Sequence, residues 1–377
     1  QRPPQLRRHA LNLRLHRLKV FLAARLDHDA HARRPAIFAK HFAQRPAPLA
    51  GRHARLRRIN RRRHDVRAFR RRSLQRRQSR ADLRVSNDRH YYVDEGEEQL
   101  WAMTDRPRLY TADDGWLTHR LWGMGIAQRD LDRDGDLEVF LTSMGDQRLQ
   151  MLAESAAGPR FVDAPYALGT TATAPYTGGD GRPSTGWHVA FGDVQNDGRD
   201  DIFITKGNVE QMPDSAWDDP NNLLIQRLDG TFAEHGATAG LASLHRGRGG
   251  ALADLNGDGL LDAVVVNRRA PLEVWQNVTP TPGHWLAIEL RQPAPNTRAI
   301  GAWIELDAGG PPRLREVTIG GGHAGGAAGP EHFGLGDSTR ARLRVTWPDG
   351  TRSDWLTLGT DQSVTLRRGK GSALRPD

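Results

Sequence analysis

Three nine-residue segments of this chain repeat one pattern: Asp130-Leu-Asp-Arg-Asp-Gly-Asp-Leu-Glu138, Asp193-Val-Gln-Asn-Asp-Gly-Arg-Asp-Asp201 and Asp254-Leu-Asn-Gly-Asp-Gly-Leu-Leu-Asp262. Each places oxygen-bearing side chains at positions 1, 3, 5 and 9, around a glycine at position 6. A hard cation such as calcium requires this arrangement, with several oxygens converging from alternate residues across a sharp bend. In the first loop the ligands would be Asp130, Asp132, Asp134, the Asp136 carbonyl and Glu138. In the second they would be Asp193, Gln195, Asp197, the Arg199 carbonyl and Asp201; in the third, Asp254, Asn256, Asp258, the Leu260 carbonyl and Asp262. Gln195 is one methylene too long for its place, so the second loop is expected to be the weakest site. An EF-hand would close with glutamate at position 12 between helices. Here the acid stands at position 9, between strand-like runs. The competing reading is a set of metal-free turns in which Asp and Asn bond their own backbone. Three loops in register favour calcium.

The elements that must hold these loops also repeat. The first aspartates stand at 130, 193 and 254, so the spacings are 63 and 61 residues. Seven positions before each lies Gly123, Gly186 or Gly247, and three before it Ala127, Ala190 or Ala251. Apolar runs follow directly at Glu138–Thr142, Asp201–Thr205 and Asp262–Val266, then second runs at Arg148–Leu152, Asn222–Leu228 and Leu272–Gln276. A fixed period of about 60 residues built from short strands suits a four-stranded propeller blade better than a solenoid coil.

The loops resemble FG-GAP/VCBS repeats. Asn222-Leu-Leu-Ile-Gln-Arg-Leu-Asp-Gly-Thr-Phe232 is similar to the blade hairpin of that family. Asn277-Val-Thr-Pro-Thr-Pro-Gly-His-Trp-Leu286 resembles the junction into a C-terminal module. Asn296-Thr-Arg-Ala-Ile-Gly-Ala-Trp303, Gly320-Gly-Gly322, His332-Phe-Gly-Leu-Gly336 and Trp347-Pro-Asp-Gly350 resemble the ASPIC/UnbV domain. Together they match the cartilage-acidic-protein-like family over roughly residues 98–366. The resemblance implies an all-β chain: a calcium-binding propeller, typically near seven blades, and a small β-rich ASPIC/UnbV-like domain, with no assigned catalytic activity. This chain departs from the family pattern in two ways. Only about three blades are present, and His323-Ala-Gly-Gly-Ala-Ala-Gly-Pro330 replaces a more polar and aromatic stretch. The expected organisation is an Arg-rich extension (1–97), propeller blades with calcium loops (98–282), an ASPIC/UnbV-like β domain (283–368) and a tail (369–377).

Charge divides the chain. Residues 1–90 carry 27 Lys or Arg against 5 Asp and no Glu, whereas the rest carries 27 against 40. The overall +9 therefore conceals a basic segment and an acidic remainder. Residues 1–90 hold one glycine of 40, lack turn signals and contain runs such as Arg61-Arg-Arg63, so no compact fold is expected there. This segment reads as a nucleic-acid-binding arm, a solvated extension, or an out-of-frame translation of GC-rich DNA; the last is favoured. Nucleic acid is thus not an expected partner. Val20-Phe-Leu-Ala-Ala24 is too short for a signal core, and no long apolar run predicts a membrane span.

The sequence contains no Gly-x-Ser-x-Gly elbow, His-Glu-x-x-His pair or phosphate loop with its lysine. It has no cysteine, hence no disulfide framework or thiolate chemistry. His188, His323 and His332 share no zinc-ligand spacing and are expected to be ordinary hydrogen-bonded histidines. Trp187, Trp275, Trp285, Trp303 and Trp347 are expected to fill cores. Two functional classes remain. One is a non-enzymatic, calcium-stabilised adhesion or interaction protein, extracellular or periplasmic, with a protein or glycan ligand. The alternative is a piece of a propeller enzyme whose active site lies in further N-terminal blades.

Overall fold

The computed structural model describes residues 19–21, 82–88, 97–153, 155, 158–176, 179–323 and 325–376, with the backbone alone for the first of these. The described chain is all-β, broken only by two short 3-10 turns at Ala112–Asp114 and Tyr166–Leu168. Among the described residues no helix is long and apolar enough to cross a membrane.

Each sequence repeat forms one sheet. The first is an antiparallel meander of Gly123–Arg129, Glu138–Ser143, Arg148–Ala153 and Arg160–Asp163. The second repeats it with Gly186–Gly192, Asp201–Lys206, Asn222–Gln226 and Phe232–Glu234. The third has Gly247–Ala253, Asp262–Asn267 and Glu273–Asn277, and its fourth place is taken by Lys19–Phe21, running parallel to Glu273–Asn277. The acidic loop always joins the first two strands. Its closing acid pairs with the residue before its first aspartate: Glu138 with Arg129, Asp201 with Gly192 and Asp262 with Ala253. The register also shifts at the equivalent end of each pair, beside Gly123, Gly186 and Gly247. A Cβ on Gly123 would collide with the Ser86 hydroxyl, and one on Gly186 with the Gln147 amide, which explains the recurring glycine.

Adjacent repeat sheets share cores. Phe140, Leu149, Val189, Ile202 and Leu224 pack between the first and second; Phe203, Leu223, Val265 and Trp275 pack between the second and third. The sheets do not close into a barrel. The Asp-Gly-Thr-Phe segment makes the expected hairpin: Arg227 N donates to Thr231 O at 2.8 Å, and Phe232 is buried.

A three-stranded sheet of Leu83–Val85, Gln99–Ala102 and Arg108–Leu109 straddles the boundary expected near residue 97. Arg84 lies between the Trp116 and Phe161 rings, 5.2 and 4.9 Å from their centroids, and bonds Gln150. Ser86 and Asn87 donate to Glu98 at 2.9 and 3.1 Å. Residues 82–88 are thus built into the repeat region. The remaining expectation for the Arg-rich extension lies outside the described residues, apart from the pairing of Lys19–Phe21.

The C-terminal module has two four-stranded sheets. One orders Glu331–Gly336, His284–Arg291, Gln362–Arg368 and Leu374–Pro376; the other orders Arg313–Glu316, Trp303–Asp307, Arg340–Thr346 and Leu356–Gly359. Leu286, Ile288, Ile304, Phe333, Leu343 and Trp347 form its core. The segment expected as a tail supplies the edge strand Leu374–Pro376. Phe203 is fully buried in the core between the second and third repeat sheets. Phe203→Ala should therefore cost about 3–5 kcal/mol by urea denaturation; a loss below about 1 kcal/mol would show that these sheets do not pack as one core.

Candidate metal centre

Repeated strand pairing gives the three loops one hydrogen-bond plan. The position-1 carboxylate accepts from the amides of positions 5 and 6. Asp130 Oδ1 takes Asp134 N and Gly135 N at 3.0 and 3.3 Å. Asp193 takes Asp197 N and Gly198 N at 3.0 and 2.6 Å, and Asp254 takes Asp258 N and Gly259 N at 3.2 and 2.9 Å. The position-5 carboxylate accepts from the amide of position 7, which is how Asp136, Arg199 and Leu260 are held, at 2.8, 3.0 and 2.9 Å. The closing acid folds back onto the amide of position 2: Glu138 to Leu131 N at 2.7 Å, Asp201 to Val194 N at 3.0 Å and Asp262 to Leu255 N at 3.1 Å. Gly135, Gly198 and Gly259 all have positive φ, as the bend at position 6 requires.

The loops differ in what remains free. In the first, ligand atoms of Asp130, Asp132 and Glu138 lie within 4.8 Å of one another, making this the one such acidic group among the described residues. Asp130 Oδ2 is buried and has no hydrogen-bond partner. Burial, reinforced by Asp134 and Asp132, pushes the Asp130 carboxyl up to about 8; burial, with Asp132 and Asp134, pushes Glu138 up to about 9. Buried acids under mutual repulsion, with an oxygen left open, suit a site that takes a cation.

In the second loop, Gln195 Nε2 donates to Asp197 Oδ2 at 2.9 Å, and the Arg199 guanidinium binds the same oxygen. Arg199 thus meets the loop through its side chain, a contact not expected from the spacing. Gln195 is 2% exposed and its Oε1 has no partner. Burial, then Asp197 and Asp200, raise Asp193 to about 8. In the third loop, Asn256 Nδ2 donates to Asp258 Oδ2 at 2.7 Å, and Asn256 and Asp258 are exposed. Turning either position-3 amide over would present its oxygen to the loop interior instead.

The C-terminal module covers the tips of these loops. Asp200 sits beside Arg315 at 2.7 Å and Arg129 at 3.7 Å. Burial alone would raise its carboxyl, but Arg315, Arg129 and Arg313 outweigh that and hold it at about 2. His332 Nε2 donates to Gly259 O at 3.0 Å, and Trp285 stacks on His332 with centroids 6.1 Å apart. The glycine-rich stretch forms a hairpin of Gly320–Gly321 and Gly325–Gly326 against the first strands of the first and third repeat sheets. Gly322 N donates to Ile126 O at 2.7 Å, His323 N donates to His188 Nδ1 at 3.1 Å, and His323 Nδ1 donates to Met124 O at 2.8 Å. A Cβ on Gly322 would collide with the His188 ring.

Residues 292–373 match the ASPIC and UnbV family model. The ASPIC/UnbV match covers most of the two-sheet module. The chain is also 28% identical to cartilage acidic protein 1 of Mus musculus over 243 residues, covering 60% of this chain and 34% of that protein. It is 29% identical to the Homo sapiens protein over the same length, covering 60% and 33%. This chain therefore spans about a third of the length of these relatives. Among solved structures, the C-terminal fragment of pilus adhesin SpaC from Lactobacillus rhamnosus GG aligns at 15% identity and a TM-score of 0.13, over 47% of this chain and 74% of that one. The V. cholerae biofilm matrix protein Bap1 aligns at 12% identity and a TM-score of 0.22, over 79% and 60%. Superpositions this loose carry no structural argument.

Sequence reasoning missed Arg129, Asp200, Arg313, Arg315 and the role of His332, because arginines and acids about seventy or more residues apart give no local pattern. His332 supplies a pH test of the packed module. Burial lowers its imidazole from 6.5 to about 4. The unfolded chain takes up that proton near 6.5 and the folded chain only near 4. The neutral ring's contribution is thus complete above 6.5 and lost as pH falls from 6.5 towards 4. Relative to His332→Gln, which keeps a donor but does not titrate, the wild type should lose up to about 3 kcal/mol across that window. Parallel pH curves in urea denaturation would contradict the buried, neutral His332.

Proposed function

We propose that this chain is a non-enzymatic, calcium-stabilised interaction protein whose three sheets are FG-GAP/VCBS-type propeller blades joined to the ASPIC/UnbV module. The reading rests on one observation: Asp130, Asp132 and Glu138 converge within 4.8 Å while a buried oxygen of Asp130 has no partner. Asp130, Asp132, Asp134 and Glu138 would hold the ion in the first loop. Bound calcium would supply positive charge that lets the buried carboxylates ionise without repelling one another. The second and third loops have the same amide cage and would hold weaker or more exposed sites.

Several features favour interaction over catalysis. His188, His323 and His332 are each engaged with main-chain groups. Trp275 and Trp347 are buried in cores. Loops of this kind fill best where calcium is abundant, which supports an extracellular or periplasmic location. The acidic balance of the chain beyond residue 90 disfavours phosphate-rich partners and suits a protein or glycan ligand.

Chelation provides the test. Calcium at a hundredfold excess over its Kd should add about 2.7 kcal/mol to stability, and chelator should lower the melting temperature accordingly. Asp132→Ala should remove more of this response than Asp197→Ala, because Arg199 already pairs with Asp197. A melting curve unchanged by chelator would make the loops metal-free turns.

A further inference from the structure

The acidic loops do more than cap their own sheets: their backbone tips are the surface on which the ASPIC/UnbV module sits. The carbonyls that receive bonds from outside belong to one ligand candidate, Gln195, and to Asn196, Gly198 and Gly259, which stand between ligand candidates in the same loops. Gly283 N donates to Gln195 O at 3.1 Å, and Gly336 N donates to Asn196 O at 2.8 Å. Arg133 of the first loop bonds Gly198 O in the second, and Arg313 of the module reaches Gly198 O at 3.4 Å and also bonds Gly334 O. Asn196 of the second loop donates to Gly259 O in the third at 3.0 Å, and His332 of the module donates to that same carbonyl. The three loops and the module thus form one continuous hydrogen-bonded belt, with the second loop at its centre.

Clearance within the belt is small. A Cβ on Gly334 would collide with Asp193 Oδ2, one on Gly283 with Asn196 O, and one on Gly259 with the Trp285 indole. Loop and module backbones therefore meet in close contact at these three glycines. Three buried oxygens of these loops, Asp130 Oδ2, Gln195 Oε1 and Asn196 Oδ1, lack partners, and the first two belong to ligand candidates.

We propose that docking of the ASPIC/UnbV module and cation occupancy of the acidic loops are thermodynamically linked, so that calcium latches the module onto the repeats. This rests on the calcium reading above. Without the ion, carboxylates at positions 1, 3, 5 and 9 repel, the loops relax outward, and the carbonyls of Gln195, Asn196, Gly198 and Gly259 leave their partners. With the ion, the loop shape that the module recognises becomes the most stable one. Linkage runs both ways: whatever weakens docking must weaken calcium binding by the same factor.

The experiment uses the whole chain. Calorimetric titration with calcium chloride measures binding, and hydrogen–deuterium exchange of His284–Arg291 and Glu331–Gly336 with calcium or chelator measures docking. Exchange in those strands should slow about tenfold or more on calcium addition, with a midpoint matching the binding curve. In the reciprocal arm, Arg313→Met should weaken calcium affinity by about tenfold; Gly334→Ala, which pushes against Asp193 from the module side, should do the same if Arg313→Met does not fold. Calcium binding with unchanged exchange in both strands would overturn the latch while leaving the calcium sites intact, as would wild-type affinity in a folded variant. Absence of any calcium heat would overturn the calcium reading and the latch together.

Discussion

A buried carboxylate must find donors, and the position-1 aspartate of each repeat finds them in the amides of its own loop. Asp130 and Asp193 are almost inaccessible to solvent, so their charge cannot be borne by water. The loop responds by winding back so that positions 5 and 6 point their amides inward, and the winding needs glycine at position 6. The closing acid, fixed by its pairing with the residue before position 1, ties the amide of position 2. From these bonds follow the angle between the first two strands, the place where the third strand begins, and the line along which one sheet meets the next. In the second and third loops the closing acid also takes the amide of Gln226 or Asn277, so loop and third strand are held by one carboxylate.

The same constraint extends to the join between repeats and module. Asp200 lies one residue before the closing acid of the second loop and is enclosed by Arg129 from the first sheet and Arg315 from the module. Removing one partner from a buried charge cluster strands the others and costs about 3–5 kcal/mol. Two arginines facing one carboxylate hold an excess of positive charge, and Glu331, whose carboxyl burial raises and Arg129 and Arg315 lower, sits beside them. This join is therefore polar and position-specific, unlike the apolar cores on either side, and a slide by one residue would leave several charges unpaired.

Much of this was legible in the chain. The repeated aspartates, the glycines at 123, 186 and 247 and the apolar runs are local features, and local pattern is what sheet register obeys. Strand ends differ from expectation by a residue or two, as at Ser143 and Gln226, where turn geometry rather than hydrophobicity decides the limit. Three things were not legible. Arg84 sits in a run rich in arginine and nothing nearby marks it for burial; its partners Trp116, Gln150 and Phe161 lie far along the sequence. The parallel pairing of Lys19–Phe21 with Trp275–Asn277 joins segments with no shared pattern. The glycine hairpin at 320–326 carries no local sign of where it docks; the missing Cβ of Gly322 is what allows the backbone to lie on Ile126 and His188.

The second loop shows how one substitution redistributes charge without changing the frame. Position 7 is Asp136 in the first loop and Leu260 in the third, and in all three loops its amide makes the same bond. Arg199 in the second loop keeps that bond and adds a guanidinium to Asp197, with a further contact to Gln226 O at 3.1 Å. Part of the positive charge that a cation would bring is therefore already present. It offsets repulsion between Asp197 and the buried Asp193, and any ion entering this loop must share Asp197 with a cation that is covalently part of the chain. An ion entering the second loop thus meets a carboxylate already shared, whereas in the first loop the ligand atoms of Asp130, Asp132 and Glu138 converge within 4.8 Å of one another.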